Sequence, residues 1–162
     1  MSAEFEVIKG DIENSILIMR GVANWGRLKG LNLWKDEDLT EEKLIGNALK
    51  ENFCIGRVQG KNACCMILQW KDDFFWPKAN ENEAGYIHKL CVRREYAGTG
   101  LPGKMIEFAI EECKRRNIHY LRLDTGWKNE NLCNLYRSLG FRIVDKFPLG
   151  NGAFALFEMK ID

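Results

Sequence analysis

The sequence predicts a mixed α/β domain built around a strand–helix–strand unit. Residues 86–125 show an apolar strand pattern, a long amphipathic helix pattern and a second strand pattern. Two further pairs of strands are predicted over residues 53–70 and 141–161. Because such a crossover joins parallel strands in a right-handed sense, part of the predicted sheet is parallel. The chain of 162 residues suits a single domain, 1–162, with a sizeable core.

The N-terminal third of the chain predicts one strand and two helices. Residues 4–10 alternate in polarity, as a half-buried strand does. Apolar residues then follow at helical spacing over 11–26, and Asp11 is placed to cap that helix. A second helix is predicted over 39–52, where Thr40 precedes two glutamates that suit the positive end of a helix dipole.

The middle of the chain predicts a hairpin, a loop and a third strand. Residues 53–60 and 61–70 are rich in apolar and β-branched residues and flank a turn, which is typical of a hairpin. Residues 71–85 are polar apart from a group of aromatic residues and predict a loop. The strand that follows covers 86–93.

The C-terminal half alternates helix and strand before it ends in two strands. Gly140 is placed to end the last helix. The predicted elements are a helix over 102–117, a strand over 119–125, a helix over 129–140, and strands over 141–147 and 153–161.

Composition and charge exclude several classes of protein. Hydrophobic residues make up 46% and charged residues 29% of the chain, as in a soluble globular protein. The net charge of +1 gives no overall attraction to nucleic acid or to an anionic membrane. The six cysteines form no C-x-x-C pair, so reduced thiols are expected and no metal site is predicted. Without a signal-peptide pattern or a long apolar run, a cytoplasmic protein is expected.

The stretch AGTGLPGK, residues 97–104, has the glycine content of a phosphate-binding loop. A Walker A loop needs Ser or Thr after its lysine, and Met105 stands there. A dinucleotide fingerprint follows its strand directly, whereas residues 93–97 intervene here, and too few residues follow Asp124, the candidate ribose-binding acid. The pattern favours a third kind of loop, a glycine-rich turn at a helix start that binds a pyrophosphate.

The residues of this stretch alone leave two interpretations open. As a ligand site, Gly98, Gly100 and Gly103 let the backbone approach a phosphate closely because no Cβ intervenes. Three side chains would add positive charge at its rim: Arg93, Arg94 and Lys104. As a structural element, it is a helix N-terminus with Pro102 in the first turn.

The wider pattern over residues 86–141 resembles the GNAT superfamily of N-acetyltransferases. In that family an apolar strand leads into Arg/Gln-x-x-Gly-x-Gly/Ala and a long helix, followed by Asn, a Tyr seven residues later, and Gly-Phe. The corresponding segments are YIHKLCVRREYAGTGLPGKMIEFAIEEC, LRLDT and NENLCNLYRSLGF, with Asn129, Tyr136, Gly140 and Phe141 at the downstream positions. The order and spacing together are more specific than any one of these motifs.

The resemblance implies a largely antiparallel mixed sheet with about four flanking helices, and acetyl-CoA as cofactor. The cofactor-binding positions implied are Leu90, Cys91, Val92, Gly98, Thr99, Gly100, Leu101, Gly103, Lys104, Asn129 and Tyr136. Two positions depart from the family pattern: Ala97 replaces the family's Arg or Gln, and Pro102 replaces its closing Gly or Ala. Because proline has no N–H, Pro102 removes one potential phosphate donor.

The resemblance also implies direct attack of an amine on the thioester, with three catalytic tasks. The backbone N–H of Cys91 is the candidate for stabilising the oxyanion. Tyr136 is the implied general acid for the departing thiolate, and its alternative role is packing on an apolar helix face. His88 is the candidate base, because it is the titratable residue of its strand whose type ionises near neutral pH. Its alternative role is structural.

Aromatic and acidic residues form the candidate acceptor pocket. Aromatic faces with carboxylates suit an amine that carries apolar bulk. The candidates are Trp34, Trp70, Asp72, Phe75 and Trp76. Core packing of the aromatic side chains and a solvated loop around Asp72 are the alternatives.

The sequence therefore predicts an acetyl-CoA-dependent N-acetyltransferase whose acceptor is a primary amine of a small molecule or a peptide. The expected protein is a monomer or a homodimer that binds neither nucleic acid nor membrane. One alternative is a catalytically weak acyl-CoA-binding or sensing protein on the same fold. A second is a nucleotide-binding module that uses the glycine-rich loop.

Overall fold

The computed structural model describes residues 4–31, 33–46 and 48–162. The main elements are β1 (Phe5–Lys9), α1 (Ile12–Leu28), α2 (Glu41–Ile45), β2 (Phe53–Val58), β3 (Lys61–Gln69), β4 (Gly85–Val92), α3 (Leu101–Arg115), β5 (Tyr120–Gly126), α4 (Glu130–Ser138), β6 (Arg142–Leu149) and β7 (Gly152–Lys160). Short 3₁₀ helices cover Asp36–Asp38, Lys50–Asn52 and Arg94–Tyr96. The predicted order of strands and helices is confirmed. Within these residues, no helix has both the length and the apolar character needed to cross a membrane.

The strands form one seven-stranded sheet in the order β1-β2-β3-β4-β5-β7-β6. The sheet is mostly antiparallel, and its parallel pair is β4 and β5, which α3 connects. In that pair Gly85 lies opposite Leu121 and Ile87 lies opposite Leu123. The predicted fold class, a largely antiparallel mixed sheet with a parallel strand–helix–strand unit, is confirmed.

Backbone contacts divide the chain into two compact units. The first unit comprises the described part of Met1–Ile67 together with Lys89–Met105. The second unit comprises Leu68–His88 and Ile106–Asp162. The expectation that residues 1–162 form a single domain stays a prediction.

The first unit has its core between α1 and the strands β2 and β3. Asp11 caps α1, as predicted, by accepting a hydrogen bond from the backbone N–H of Asn14 at 3.0 Å. The buried face of α1 includes Met19 and packs in one cluster with Phe53 and Ile55. Burial of such side chains contributes about 1.5–3 kcal/mol each, so this face holds α1 against the strands.

The predicted helix over residues 39–52 is wrong in length. The structure has the five-residue helix α2, capped by the Thr40 side chain as predicted, and a separate 3₁₀ turn at Lys50–Asn52. Position 47 lies outside the described residues. Gly46, a weak helix former, follows α2. The Asn52 side chain also accepts the Leu49 N–H at 2.7 Å, a group that a continuous helix would have bonded internally.

Gly56 of β2 is required by close packing, and its replacement tests the core of the first unit. A Cβ at Gly56 would lie 2.5 Å from the Cys64 sulfur and 2.9 Å from atoms of Met105 and Phe5. We expect Gly56→Ala to lower the free energy of unfolding by about 1–3 kcal/mol, because the neighbours must move. The matched control is Gly21→Ala in α1, where a Cβ would meet nothing within 4 Å.

The control change should raise stability by roughly 0.5–1 kcal/mol, since alanine favours a helix over glycine. Urea denaturation of both variants measures the two effects. Equal stability of Gly56→Ala and the parent chain would show that the core of the first unit adapts to the extra methyl group.

In the second unit, helix α4 packs its buried face on aromatic residues. The Tyr136 ring makes edge contacts with Phe141 and Phe157, at centroid distances of 6.2 and 5.7 Å. Gly140 follows the helix with φ of 102°, so the predicted helix stop is confirmed. These contacts place the apolar side of α4 against the β7 strand.

Candidate functional site

The glycine-rich segment lies between β4 and α3 and is exposed from Ala97 to Gly100. Gly98 and Gly100 have φ of 76° and 80°, left-handed conformations that glycine adopts at little cost. A Cβ at either position would meet nothing within 4 Å, so backbone conformation rather than crowding explains these glycines. The Thr99 N–H donates to the Tyr96 carbonyl at 3.3 Å. The segment is thus an exposed, hydrogen-bonded turn that leads into α3.

The first turn of α3 supplies backbone donors beside this segment. N–H groups in the first turn of a helix have no acceptor within the helix. Here Pro102 has no N–H, and the Lys104 N–H donates to the Gly100 carbonyl at 3.3 Å. Leu101 and Gly103 are the remaining candidates for donating to a ligand. Gly103 lies inside the helix, as the predicted helix over 102–117 requires.

The cationic residues around the turn already contact other groups. The Arg93 Nε lies 3.1 Å from a Glu95 carboxylate oxygen. The Arg94 guanidinium lies 3.9 Å from the centre of the Trp25 ring. The Lys104 ammonium lies 5.6 Å from the centre of the Phe5 ring. Because Glu95 partly neutralises Arg93, the positive charge beside the turn is lower than the three cationic side chains alone would give.

The end of β4 contains three of the implied cofactor-binding positions. Leu90 is half-buried, and Cys91 and Val92 are buried. The Cys91 sulfur lies 3.6 Å from the Cys65 sulfur, inside the core of the first unit. The Cys91 side chain therefore has a packing role, which leaves its backbone N–H as the group of interest. Lys89 has φ of 55°, an uncommon conformation for a residue other than glycine.

In the second unit, the structure brings together one histidine and two carboxylates. The His88 Nε2 lies 3.5 Å from a carboxylate oxygen of Asp72, and its Nδ1 lies 3.7 Å from one of Asp124. The three side chains are 24%, 7% and 16% exposed, in the order His88, Asp72 and Asp124. We call these three residues the histidine–aspartate cluster.

Different elements hold the members of the histidine–aspartate cluster. His88 and Asp124 follow the last registered pair of β4 and β5, Ile87 opposite Leu123, so their side chains leave neighbouring strands on one face. Asp72 begins the loop after β3, where one of its oxygens accepts the N–H groups of Phe74 and Phe75, each at 3.1 Å. That loop motif orients the other oxygen toward His88.

The sequence predicts roles for two members of this cluster, His88 as a base and Asp72 as an acceptor-binding residue. It offers Asp124 only as the ribose-binding acid of the rejected dinucleotide motif. The missing signal was the parallel register of β4 and β5, which places Asp124 beside His88. A parallel register is a long-range property that neither strand pattern contains.

Arg122 anchors the loop that carries Asp72 and was not singled out by the sequence. Its guanidinium donates to Glu83 at 2.7 Å, to Glu158 at 3.0 Å and to the Tyr86 hydroxyl at 3.0 Å. The Trp76 ring lies 4.2 Å from the same guanidinium. The hydrogen bond from Arg122 holds the pKa of Glu83 below its usual value. The loop is thus joined to β4, β5 and β7 through one buried cation.

The candidate aromatic residues do not share one set of contacts. In the second unit, Phe75 packs against Phe74, Phe147 and Phe154, with centroids 4.8 to 5.3 Å apart. Trp76 lies near Tyr86, at 6.3 Å. The Trp70 ring lies under the Arg116 guanidinium at 4.1 Å. Trp34 belongs to the first unit, where the Lys89 ammonium lies 5.2 Å from its ring. The predicted grouping of these rings in one acceptor pocket stays a prediction.

The two implied positions of α4 have defined local roles. Asn129 caps the helix, since its side-chain oxygen accepts the Leu132 N–H at 3.2 Å. Tyr136 is 6% exposed and lies on the apolar face of α4. The packing alternative for Tyr136 is therefore present, Asn129 has a capping role, and a ligand role of either residue would be additional.

Comparisons with known proteins agree with this architecture. A family model described as the acetyltransferase (GNAT) family matches residues 21–141. YesJ of Bacillus subtilis, an uncharacterized N-acetyltransferase, is 26% identical over 165 aligned residues, which cover 93% of this chain and 86% of YesJ. A GNAT-family acetyltransferase of Listeria monocytogenes has a TM-score of 0.75 at 24% identity, with 99% of this chain and 98% of that one covered.

The structure of yncA from Salmonella typhimurium, solved with its cofactor acetyl-CoA, has a TM-score of 0.63 at 16% identity. The alignment covers 98% of this chain and 94% of that one. At such identities the solved structures support the fold. The family model spans most of the sequence, including the glycine-rich turn and the Asn129–Phe141 segment. The chain therefore belongs to the GNAT acetyltransferase family.

Proposed function

We propose that this protein transfers an acetyl group from acetyl-CoA to a primary amine of a small molecule or a peptide. The observation that carries the proposal is the turn with two left-handed glycines, Gly98 and Gly100, that leads into α3 in a chain of this family. Such a turn presents backbone N–H groups to an anion, with the helix dipole behind them. A relative of the same fold was solved with acetyl-CoA, which supports the choice of cofactor.

The coenzyme A pyrophosphate is assigned to the glycine-rich turn and the first turn of α3. Its binding residues are Gly98, Thr99, Gly100, Leu101, Gly103 and Lys104. The pantetheine arm is assigned to the backbone of Leu90, Cys91 and Val92, and Asn129 and Tyr136 are assigned to the same cofactor. Ala97 and Pro102 change the glycine-rich turn without removing its glycines.

The proposed reaction is a direct attack. The amine nitrogen forms a bond to the thioester carbonyl carbon, and the Cys91 N–H stabilises the negative charge on the carbonyl oxygen. The carbon–sulfur bond then breaks, and the Tyr136 hydroxyl donates a proton to the departing thiolate. His88 accepts the proton that the amine loses. Asp72 and Asp124 lie 3.5 and 3.7 Å from its two ring nitrogens.

The acceptor site is assigned to the second unit's loop and its surroundings. Asp72 attracts a cationic amine, and the rings of Phe75 and Trp76 suit an apolar substituent on it. Trp34 and Trp70 are the other proposed contacts. A peptide terminus and a small-molecule amine both fit this chemistry, and an amine library separates them.

Ligand titration is the first test of the proposed function. We expect acetyl-CoA to bind in isothermal titration calorimetry, whereas NAD and ATP should give no binding heat. A thiol-release assay with acetyl-CoA and a library of primary amines and peptides should then identify the acceptor. Binding of NAD or ATP without acetyl-CoA would favour a nucleotide-binding module. Tight acetyl-CoA binding without thiol release for any amine would favour the weak acyl-CoA binder.

A further inference from the structure

We propose that the histidine–aspartate cluster is a binding site for a divalent first-row transition-metal ion, with Zn²⁺ as its probe. Asp72, His88 and Asp124 each offer one ligand atom, and these atoms lie within 4.8 Å of one another. An imidazole nitrogen and two carboxylate oxygens are ligands that Zn²⁺ takes in proteins. Three protein ligands leave the fourth position of a tetrahedral ion for water.

The distances in the cluster suit an ion better than a direct ion pair. Charge-assisted hydrogen bonds between nitrogen and oxygen are about 2.7–2.9 Å long. The contacts of His88 with Asp72 and Asp124 are 3.5 and 3.7 Å. Two ligands of a tetrahedral Zn²⁺ ion lie about 3.4 Å apart, given bond lengths near 2.1 Å. One ion binds one ring nitrogen, so one of these spacings matches a pair of zinc ligands, and the third ligand atom lies within 4.8 Å of that pair.

The cluster is also organised before any ion binds. One Asp72 oxygen is held by two backbone N–H groups, so the other oxygen points toward His88 in a side chain that is 7% exposed. The strand backbones of β4 and β5 fix the separation of His88 and Asp124.

The charge of the cluster favours a cation. Two carboxyl groups flank one imidazole. Arg122, on the same face of β5 as Asp124, donates to Glu83, Tyr86 and Glu158. A metal ion at the cluster would bring positive charge to Asp72 and Asp124, whose carboxyl oxygens face His88.

Metal binding would also regulate the enzyme, a consequence that rests on the proposed function. An ion on His88 occupies the lone pair that accepts the amine proton. Zn²⁺ is then an inhibitor of acetyl transfer that competes with the amine. The site itself does not depend on this consequence, because the ion needs neither acetyl-CoA nor an acceptor.

The test uses the full chain, freed of metal by a chelator and titrated with Zn²⁺ alone. We expect one ion per chain in calorimetry, and at least about tenfold weaker binding by His88→Ala and by Asp124→Asn, because each removes a ligand. The matched controls are His119→Ala and Asp73→Asn, which change an exposed histidine and an exposed aspartate outside the cluster. Circular dichroism confirms that each variant is folded.

A Co²⁺ titration separates the cluster from the thiols. All six cysteines are buried thiols. A cobalt site made of nitrogen and oxygen ligands lacks the intense ultraviolet charge-transfer band of a thiolate complex. The inference is overturned by an absence of Zn²⁺ binding, by binding that His88→Ala leaves intact, or by a thiolate band. Failure of acetyl transfer with every amine contradicts the proposed function and leaves this binding result standing.

Discussion

Arg122→Met is expected to lower the free energy of unfolding by about 3–5 kcal/mol, the cost of breaking a buried ion pair from one side. The Arg122 side chain is 8% exposed and binds Glu83 and Glu158, of which Glu158 is 13% exposed. Methionine keeps an unbranched apolar stem but leaves both carboxylates without their shared cation. The loop that carries Asp72 should loosen with them. Urea denaturation measures the loss.

The matched control for this change is Arg142→Met, which removes a second cation from the same glutamate. Arg142 is 79% exposed and lies 3.9 Å from Glu158. Exposed pairs contribute about 0–1 kcal/mol, so the control should be close to the parent chain. Similar losses in both variants would contradict the central role of Arg122. A double change, Arg122→Met with Glu158→Met, should recover part of the loss because no buried charge remains unpaired at that position.

The same network makes stability depend on pH in a defined direction. The hydrogen bond from Arg122 lowers the pKa of Glu83 from its usual 4.5 in the folded chain. A group whose pKa is lower in the folded chain than in the unfolded chain stabilises the fold at pH values above its unfolded pKa. That contribution is lost as the pH falls through its pKa in the folded chain. The difference in stability between the parent chain and Arg122→Met should therefore shrink on acidification below pH 4.5.

Tyr136→Phe is expected to lower kcat by about 100-fold or more while the affinity for acetyl-CoA stays nearly unchanged, which follows from a general acid's usual contribution of about 10²–10⁴. Phenylalanine keeps the edge contacts with Phe141 and Phe157, so the packing of α4 is preserved. The hydroxyl is the group removed. Steady-state rates at saturating acetyl-CoA and amine, with calorimetry for the cofactor, separate turnover from binding.

Tyr120→Phe is the matched control, because Tyr120 belongs to β5 and has no proposed catalytic role. It should keep the parent rate. An unchanged rate in Tyr136→Phe, with chemistry limiting turnover, would remove Tyr136 as the acid and leave only its packing role. A fall in the free energy of unfolding as large as the rise in the activation free energy would point to the same conclusion.

Elements with a complete local signal were predicted correctly. Asp11 and Thr40 cap helices whose first turns their side chains reach, and Gly140 takes the left-handed conformation that ends α4. In each case the residues that decide the conformation are within a few positions of one another, so the sequence contains the whole interaction.

The second helix shows where local patterns fail. The apolar spacing over residues 39–52 favours one continuous helix. Asn52 instead bonds the Leu49 N–H, and the chain leaves α2 at Gly46. Competition between a side chain and the backbone for the same N–H group has no periodic signature. Gly46 and this side-chain hydrogen bond therefore accompany the two short elements, and the periodic pattern contains neither.

The sequence by itself determined the order of strands and helices, the glycine-rich turn and the resemblance to the acetyltransferase family. These follow from patterns of neighbouring residues and from motif spacing along the chain. Only the tertiary structure decided that Asp72, His88 and Asp124 lie together and that Arg122 joins Glu83 to Glu158. Strand register and loop docking set those contacts, and both depend on the pairing of segments that are distant in sequence.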